Sequence, residues 1–299
     1  MVSPLVIDSQ NERLHPSAQA VLQASPEERL EFLNKQFWIG YPAAINILMR
    51  LEHILSRPQI GRPEGISIIG GSNNGKTHLL DYFLKLHPAT LSPGNTTMQI
   101  QVLSIEAPVG ASRADFFDSL CYALHIPEIS SGPMRRVRGR VNQALREAGV
   151  KVIIIDELHN LIAGGEMRKR IILEQLKTFS NEHKIAVVGA GTDRALNTIS
   201  LDEQYMSRMP PVKLPPWKMD RTFLGLLKAI EARMPLNEPS MLTDRNLAEF
   251  IFSQSKQSIG HAVGLIVDST RLAIYKGKEK VTENLIRQVC AGDFPWTKV

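Results

Sequence analysis

One stretch of twelve residues, Ile66–Thr77, constrains the fold of this chain more than any other feature of its sequence. It reads Ile-Ser-Ile-Ile-Gly-Gly-Ser-Asn-Asn-Gly-Lys-Thr, and the isoleucines at its start predict a buried strand. Apolar residues at helical spacing follow and predict a helix: Leu79, Leu80, Phe83 and Leu84. A strand, the pattern G-x-x-x-x-G-K-T and a helix come in the order that a phosphate-binding loop requires.

The residue types in this loop explain how it would bind phosphate. Gly70 and Gly75 permit backbone conformations that a Cβ would obstruct, so the loop amides can point at phosphate oxygens. Lys76 would reach the β- and γ-phosphates, and the Thr77 hydroxyl would bind Mg²⁺. The predicted nucleotide contacts are Gly70, Gly71, Ser72, Asn73, Asn74, Gly75, Lys76, Thr77 and His78. The alternative is a chance glycine turn before a helix, which the flanking elements disfavour.

A second motif, Lys151–His159, reads Lys-Val-Ile-Ile-Ile-Asp-Glu-Leu-His. Its four consecutive apolar residues predict a strand buried on both faces of a parallel sheet. Asp156 and Glu157 stand at the carboxyl end of this strand, where open α/β sheets bind their ligands. Asp156 would hold Mg²⁺, directly or through water, and Glu157 would polarise the attacking water. The alternative is a strand that ends in two acids by chance, which the loop upstream disfavours.

The remaining periodicities predict an α/β fold. We expect a five-stranded parallel sheet sandwiched by helices, followed by a C-terminal all-helical lid. Further strands are predicted at residues 98–105, 184–192 and 212–214, the second of them ending in Thr192. Lid helices are predicted at about 219–232, 243–254, 259–276 and 281–290.

Three regions follow from these elements. We expect a helical extension at 1–60, a nucleotide-binding core at 61–215 and a lid at 216–299. Residues 1–24 are polar and predict a loosely attached extension, whereas Ser25-Pro-Glu-Glu predicts a helix start. Trp38, Ile39 and Tyr41 either pack in the core or cover the base of the nucleotide.

Composition sets broad limits on function. A net charge of +5 and a pI near 9.2 are compatible with nucleic-acid binding without requiring it. Cys121 and Cys290 form no metal-ligand pattern and are typical of reduced cysteines in a cytosolic protein. The N-terminus lacks a signal-peptide pattern, and no apolar run is long enough to span a membrane. We therefore expect a cytoplasmic protein with no membrane partner.

Several motifs together resemble one family of ATPases. The order of the loop, Asp156-Glu157 and three further motifs is similar to the TniB and TnsC proteins, AAA+ ATPases of DNA transposition. Those further motifs are Gly191-Thr192-Asp193-Arg194, Asp202-Glu203-Gln204 with Ser207-Arg208, and Ile259-Gly260-His261. The resemblance implies a P-loop AAA+ fold, ATP and Mg²⁺ as ligands, and ATP-dependent homo-oligomers on double-stranded DNA, as a ring or helical filament.

The resemblance also implies partners. They are a DDE-family transposase, which the DNA-bound assembly would recruit, and a TniQ-type adaptor, with a CRISPR effector complex as one route of target choice. Hydrolysis would drive disassembly.

Three residues take roles through the resemblance alone. Arg208 matches the arginine finger, which would reach the γ-phosphate on a neighbouring subunit; the alternative is a surface arginine that ends a helix. Thr192 lies near the sensor 1 position. His261 lies near the sensor 2 position, where many relatives have arginine, and a histidine lacks a permanent charge at neutral pH.

Basic residues are the candidates for DNA contacts, because phosphate binding needs Lys and Arg on one face. Arg113 follows the second predicted strand, Arg168, Lys169 and Arg170 form a cluster, and the Arg135–Arg140 run is the third candidate. Each of them can instead be a solvated charged surface.

Two other functions stay open. One is a helicase loader or replication initiator, which a DNA-reading module would favour; the sequence shows no convincing helix-turn-helix. The other is a nucleotide-gated scaffold that binds ATP but scarcely hydrolyses it, which His261 would favour and Lys76, Asp156 and Glu157 would not.

Overall fold

The computed structural model describes residues 13–91, 98–108, 112–127, 133–161, 166–200 and 203–293, without the side chains of a few helical residues, Arg168 and Lys169 among them. In chain order the helices are α1 Pro16–Gln19, α2 Pro26–Phe32, α3 Pro42–Ser56, α4 Lys76–Leu86, α5 Arg113–Ala123, α6 Met134–Glu147, α7 Leu158–Leu161, α8 Glu166–His183, α9 Asp193–Ile199, α10 Glu203–Arg208, α11 Arg221–Glu231, α12 Arg245–Gln254, α13 Ile259–Tyr275 and α14 Glu283–Cys290. The strands are β1 Ile66–Ile69, β2 Val102–Glu106, β3 Val152–Asp156, β4 Ala186–Gly191 and β5 Pro211–Lys213. Within the described ranges, no helix combines the length and apolar character needed to cross a bilayer.

The strands form one parallel five-stranded sheet in the order β2-β3-β4-β1-β5. The strands β1 and β4 are buried at every position, and β3 is buried at all but its last, Asp156. Continuous burial explains their apolar sequences, since helices cover both faces of such sheets. The register pairs Ile69 with Gly191 and Glu106 with Asp156, so the carboxyl ends of neighbouring strands meet at one edge.

The chain packs as two compact units. The first is drawn from Met1–Pro42, Asn73–Gly75 and Pro216–Val299, and the second from Ala43–Ser72 and Lys76–Pro215. The sheet lies in the second unit. One hydrophobic cluster joins β2, β3 and β4 to α5, α6 and α8, and its largest fully buried side chain is Phe116.

The first unit is helical, with a core around Phe223, Leu227 and Ile266. Its helices begin at residues that can cap them. The side-chain oxygen of such a residue accepts a hydrogen bond from a backbone N–H that has no partner within the helix. Asp220 caps α11, Asp244 caps α12, and Ser25 forms a capping box with Glu28 at α2.

Arg29 ties α2 into this helical unit. Its guanidinium donates to the carbonyl of Pro235 and, at 3.1 and 2.9 Å, to the two carboxylate oxygens of Glu279. Residues 13–24 also pack here: Leu14 and Ala18 are buried, and the amide of His15 donates to the carbonyl of Ala232. The described part of the N-terminal region is therefore attached, contrary to the expectation of a loose extension.

The predicted fold class is confirmed: a five-stranded parallel sheet with flanking helices, and C-terminal helices after it. The second strand begins later than predicted, at Val102 rather than Met98. Two residues before it bond elsewhere instead: Gln99 forms an antiparallel bridge with Thr90, and the amide of Ile100 donates to the carbonyl of Ala148. The alternation of apolar and polar residues along the sequence does not show whether the backbone bonds to Thr90 and Ala148 or to a neighbouring strand.

Candidate functional site

The loop between β1 and α4 is left-handed at Gly75, as predicted, and at Asn73 rather than at Gly70. Gly75 has φ +84° and Asn73 has φ +55°, both in the left-handed region that lets a tight turn expose its amides. The loop ends where α4 begins at Lys76, and Asn74 is buried while Gly71 and Ser72 are exposed. His78 is half-buried in the first turn of α4. Amides of such a loop and of the helix start that follows it are able to bind an anion.

Lys76 is held inside the loop that precedes it. Its ammonium donates to the carbonyl of Gly70 at 2.9 Å and of Gly71 at 2.8 Å, and the residue is 6% exposed. Burial lowers the pKa of Lys76, against the opposing effect of Glu157, Asp156 and Asp193. A buried ammonium group that donates to two neutral carbonyls is suited to an anionic ligand.

Thr77 and Asp156 meet although they come from different motifs. The Thr77 hydroxyl donates to Asp156 Oδ2 at 2.6 Å, and Asp156 Oδ1 accepts the amide of Glu157 at 2.7 Å. Among the described residues, no group of three or more His, Cys, Asp or Glu side chains could hold a metal ion. One hydroxyl and one carboxylate fit Mg²⁺ nevertheless, because Mg²⁺ in nucleotide sites takes its other ligands from phosphate and water.

Glu157 follows β3 in a strained conformation, since φ is +50° at this non-glycine residue. The side chain of Glu157 is 39% exposed. His159 lies beside it, with its Nδ1 3.0 Å from Glu157 Oε2. His159 was not among the predicted site residues; the signal in the sequence was its position two residues after Glu157, in the first turn of α7.

Thr192 follows the end of β4, beside the loop. Its predecessor Gly191 pairs with Ile69 at the end of β1, and the Gly191 carbonyl accepts the amide of Gly70 at 3.1 Å. Within the described part of the chain, the buried Thr192 Oγ1 has no hydrogen-bond partner. A buried hydroxyl without a partner costs free energy, so this atom is suited to a polar ligand.

His261 contacts the tip of the loop, Asn73–Gly75, which belongs to the same compact unit. His261 Nε2 lies 3.2 Å from Asn73 Nδ2, and the Asn73 carbonyl accepts the amide of Gly260 and the hydroxyl of Ser258, each at 2.9 Å. A Cβ on Gly260 would lie 2.9 Å from the same carbonyl, so the contact requires glycine here. The sequence analysis did not foresee the roles of Ser258 and Gly260.

Tyr41 belongs to the same unit, where its ring packs against Trp217 at 4.8 Å. Burial raises the pKa of Tyr41 to about 12. Ile39 and Tyr41 both pack against the helical core, which agrees with the packing role that the sequence left open for them.

Arg208 ends α10 and bonds within its own chain. It donates to Asn181 Oδ1 at 2.6 Å and to the Lys177 carbonyl at 3.5 Å, both on α8. Burial, and then the charge of Arg62, lowers the pKa of Arg208. To reach a neighbouring subunit, its guanidinium would have to leave Asn181.

The basic candidates separate into two places. Arg113, Arg135 and Arg138 line one groove, and Arg113 Nε donates to Gln175 Oε1 at 3.1 Å. Arg170 is exposed on α8, and the neighbouring side chains of Arg168 and Lys169 lie outside the described residues. The structure thus brings together cations that lie 25 positions apart in sequence, Arg113 and Arg138.

Comparison with solved structures shows which fold this is. The chain is similar to Cdc6p from Pyrobaculum aerophilum, with 19% identity and a TM-score of 0.64, over 88% of this chain and 70% of that one. It is similar to the ORC1 protein of Aeropyrum pernix, solved with DNA, with 17% identity and a TM-score of 0.62, over 89% of this chain and 69% of that one. It is also similar to the Thermotoga maritima RuvB branch migration motor, with 15% identity and a TM-score of 0.52, over 87% of this chain and 72% of that one. These likenesses show the fold of AAA+ P-loop ATPases.

Sequence comparison identifies the family. Curated protein sequences gave no significant match. The family model described as "Bacterial TniB protein" matches residues 29–219, which include the phosphate-binding loop, Asp156 and Arg208. The match spans well over half of the chain and agrees with the resemblance in its motifs, and the chain therefore belongs to the TniB family.

Proposed function

We propose that this protein is an ATPase that binds ATP and Mg²⁺ and regulates DNA transposition from an oligomer on double-stranded DNA. The contact between Thr77 and Asp156, 2.6 Å long and next to the buried Lys76, carries the ATPase part of this proposal. Three residues of two separated motifs meet at one sheet edge, in the arrangement that a metal–triphosphate complex needs. Membership of the TniB family supports the transposition part.

Each residue of the site has a proposed role. Loop residues 70–75 and His78 bind phosphate oxygens, and Lys76 exchanges its two carbonyl acceptors for the β- and γ-phosphates. Thr77 and Asp156 would hold Mg²⁺, which would neutralise charge on the phosphates. Glu157 takes the proton of the attacking water, and Thr192 donates its hydroxyl to the γ-phosphate or to that water.

Arg208 completes a neighbouring subunit's site in this proposal. Its guanidinium would leave Asn181 and stabilise the negative charge that builds up on the transferred phosphoryl group. Turnover would then require two copies of the chain, which links hydrolysis to assembly as a ring or filament.

DNA binding rests on the basic sequence Arg168-Lys169-Arg170 near the start of α8, where Arg170 is exposed. The fold neighbour from Aeropyrum pernix was solved with DNA, which supports DNA as a ligand for this architecture. The proposed assembly marks a target site and recruits a DDE-family transposase, with a TniQ-type adaptor or a CRISPR effector complex choosing the site. ATP hydrolysis releases the assembly.

The nucleotide part is tested with Lys76→Ala. Loss of the ammonium should weaken ATP binding by about 100-fold, or ~2.7 kcal/mol, as for a charged group that loses a buried partner. The matched control is Lys85→Ala, an exposed lysine on the same helix. Binding is measured by fluorescence of a labelled ATP analogue. If Lys76→Ala bound ATP as tightly as the unmodified protein, the loop would not be the phosphate-binding site.

The DNA part is tested with Arg168, Lys169 and Arg170 all reversed to Glu. The variant should bind a random-sequence duplex more weakly, with a smaller slope of log affinity against log salt. Arg221, Arg245 and Arg287, exposed arginines of other helices, are reversed together as the control. Electron microscopy with duplex DNA, in a non-hydrolysable ATP analogue or in ADP, shows whether oligomers form. If reversing Arg168, Lys169 and Arg170 left the slope of log affinity against log salt unchanged, these residues would not contact DNA.

A second candidate function is a nucleotide-gated scaffold with very slow turnover. His261, rather than a permanently charged arginine, lies against the loop tip at Asn73, and this contact favours it. Single-turnover hydrolysis distinguishes the two, because a scaffold would retain γ-phosphate through many assembly cycles. A helicase loader or initiator shares the fold of Cdc6p and ORC1, but the TniB match favours transposition.

A further inference from the structure

A groove of about 510 Å³ lies between α5, α6 and α8 of the second unit, and no role in nucleotide binding uses it. Its floor is aromatic: Phe117 and Phe179 are 4% and 5% exposed, with ring centroids 6.5 Å apart. Two exposed apolar side chains stand on its rim, Met134 at 36% and Ile171 at 47%. An apolar floor with an exposed apolar rim is typical of a binding groove.

The groove also carries an unsatisfied hydrogen-bond donor. Gln175 Oε1 accepts from Arg113 Nε at 3.1 Å, which fixes the orientation of the amide. Within the described residues, the buried Gln175 Nε2 then has no acceptor. An outside carbonyl or carboxylate would satisfy it, and until then the buried donor costs free energy.

Charge around the groove favours an acidic occupant. The helix α6 has five arginines and one glutamate, and Arg135 and Arg138 line the groove together with Arg113. Two glutamates line it as well, but Glu182 is already paired with Arg138 at 2.5 Å. Only Glu174 therefore offsets Arg113 and Arg135, and the net field is positive.

We propose that this groove binds a short acidic and apolar peptide segment of a partner protein. Its apolar side chains would pack against Met134 and Ile171 above the aromatic floor, and its carboxylates would pair with Arg135 and Arg113. A backbone carbonyl of the peptide would accept from Gln175 Nε2. Apolar anchors in a pocket with arginines at the rim are the usual energetic centre of such an interface.

A DNA backbone fits the groove less well. Phosphates make no use of an apolar floor, and Glu174 would repel them. Bases stack on aromatic ring faces, whereas the exposed apolar side chains of the groove, Met134 and Ile171, are not aromatic. The peptide uses all three features of the groove: its floor, its unpaired amide and its positive charge.

The test uses fluorescence polarisation with a labelled synthetic peptide of repeated Phe-Asp-Leu-Glu. Control peptides carry Lys in place of the acids, or Ser in place of Phe and Leu. Ile171→Asp and Arg135→Glu change exposed rim positions, so both variants should fold, which thermal unfolding verifies. The matched control is Arg146→Glu, an exposed arginine of α6 that does not line the groove.

We expect the acidic peptide to bind and both controls to fail. Ile171→Asp and Arg135→Glu should each weaken binding by about tenfold or more, and Arg146→Glu by less than about twofold. Lys76→Ala should retain peptide binding, so the groove and the ATPase site are tested separately. The proposal would be overturned if the acidic peptide did not bind, or if Arg146→Glu lost as much peptide affinity as Arg135→Glu. It would also be overturned if the protein bound no peptide but self-associated, and Ile171→Asp abolished that self-association. Displacement of the peptide by duplex DNA as effectively as by unlabelled peptide would also overturn it, since the surface would then bind phosphate.

Discussion

The Thr77 hydroxyl donates a 2.6 Å hydrogen bond to Asp156 Oδ2, across 79 positions of sequence. It joins the first turn of α4 to the carboxyl end of β3 and fixes the two oxygens proposed to hold Mg²⁺. The oxygens of this pair are thus positioned by the sheet and a helix, both rigid elements, before any ligand is considered.

Thr77→Ala should therefore raise the Mg²⁺ concentration for half-maximal ATPase activity by about tenfold, since one metal ligand is lost. Thr77→Ser keeps the hydroxyl and serves as the control, with a Mg²⁺ requirement close to that of the unmodified protein. A Mg²⁺ titration of phosphate release measures both. The same midpoint in Ala and Ser variants would exclude the hydroxyl as a ligand.

Glu157→Gln should lower kcat by about 10²- to 10⁴-fold, the usual contribution of a general base, while the ATP dissociation constant changes little. Nucleotide-bound oligomers should persist on DNA in this variant. Glu106→Gln is the control, because Glu106 is exposed at the end of β2 and pairs in register with Asp156. Phosphate release and electron microscopy give the two readouts. Normal turnover in Glu157→Gln would contradict the assignment.

Arg208→Ala should reduce ATPase activity by about 10³-fold, the lower range for a lost arginine finger. If the finger acts on a neighbouring subunit, mixing Arg208→Ala with Glu157→Gln should restore part of the activity. In such a mixture, an Arg208→Ala subunit has an intact Glu157 and receives Arg208 from its neighbour. Two inactive variants that stay inactive when mixed would instead indicate a structural role through Asn181.

Arg29→Ala should destabilise the first unit by roughly 2–4 kcal/mol, because Glu279 loses its arginine partner and the buried carbonyl of Pro235 loses its donor. Urea unfolding at neutral pH measures this, and the control is Arg245→Ala, whose pair with Glu249 is exposed and worth little.

The pair also predicts a pH dependence. The hydrogen bond from Arg29 is the largest cause of the lowered pKa of Glu279. Because the pKa of Glu279 is lower in the folded protein than the ordinary value of 4.5, its ionised carboxylate stabilises the fold at pH values above 4.5. This stabilisation is lost as the pH falls through the lower pKa of the folded protein. The stability difference between the unmodified protein and Glu279→Gln should therefore shrink below about pH 4.5. A difference that stays constant to lower pH would contradict the assigned cause.

Local patterns in the sequence were sufficient for the elements of the site. Four apolar residues before Asp156 predicted β3, and the glycines and Lys76 predicted the strand-loop-helix unit, because each depends on neighbours along the chain. The fold class followed from the same patterns. The start of β2 did not, since Gln99 and Ile100 bond to Thr90 and Ala148 rather than to a strand.

Long-range relationships were beyond the sequence. The bond of Arg29 to Glu279 spans 250 positions, and that of Asn73 to His261 spans 188. No periodicity specifies such partners, because they depend on how separate elements pack. The groove is a further case: Arg113, Arg135 and Ile171 are unremarkable singly, and only the packing of three helices brings them around one cavity.

The strand order also bears on how the protein is made. The strand β1, which carries the phosphate-binding loop, lies between β4 and β5, whose residues are translated more than a hundred positions later. A nascent chain that has not reached Ala186 leaves both edges of β1 without their native neighbours, and such edges are prone to aggregate. The ribosome must therefore deliver almost the whole second unit before the strand that supports the loop can enter its sheet.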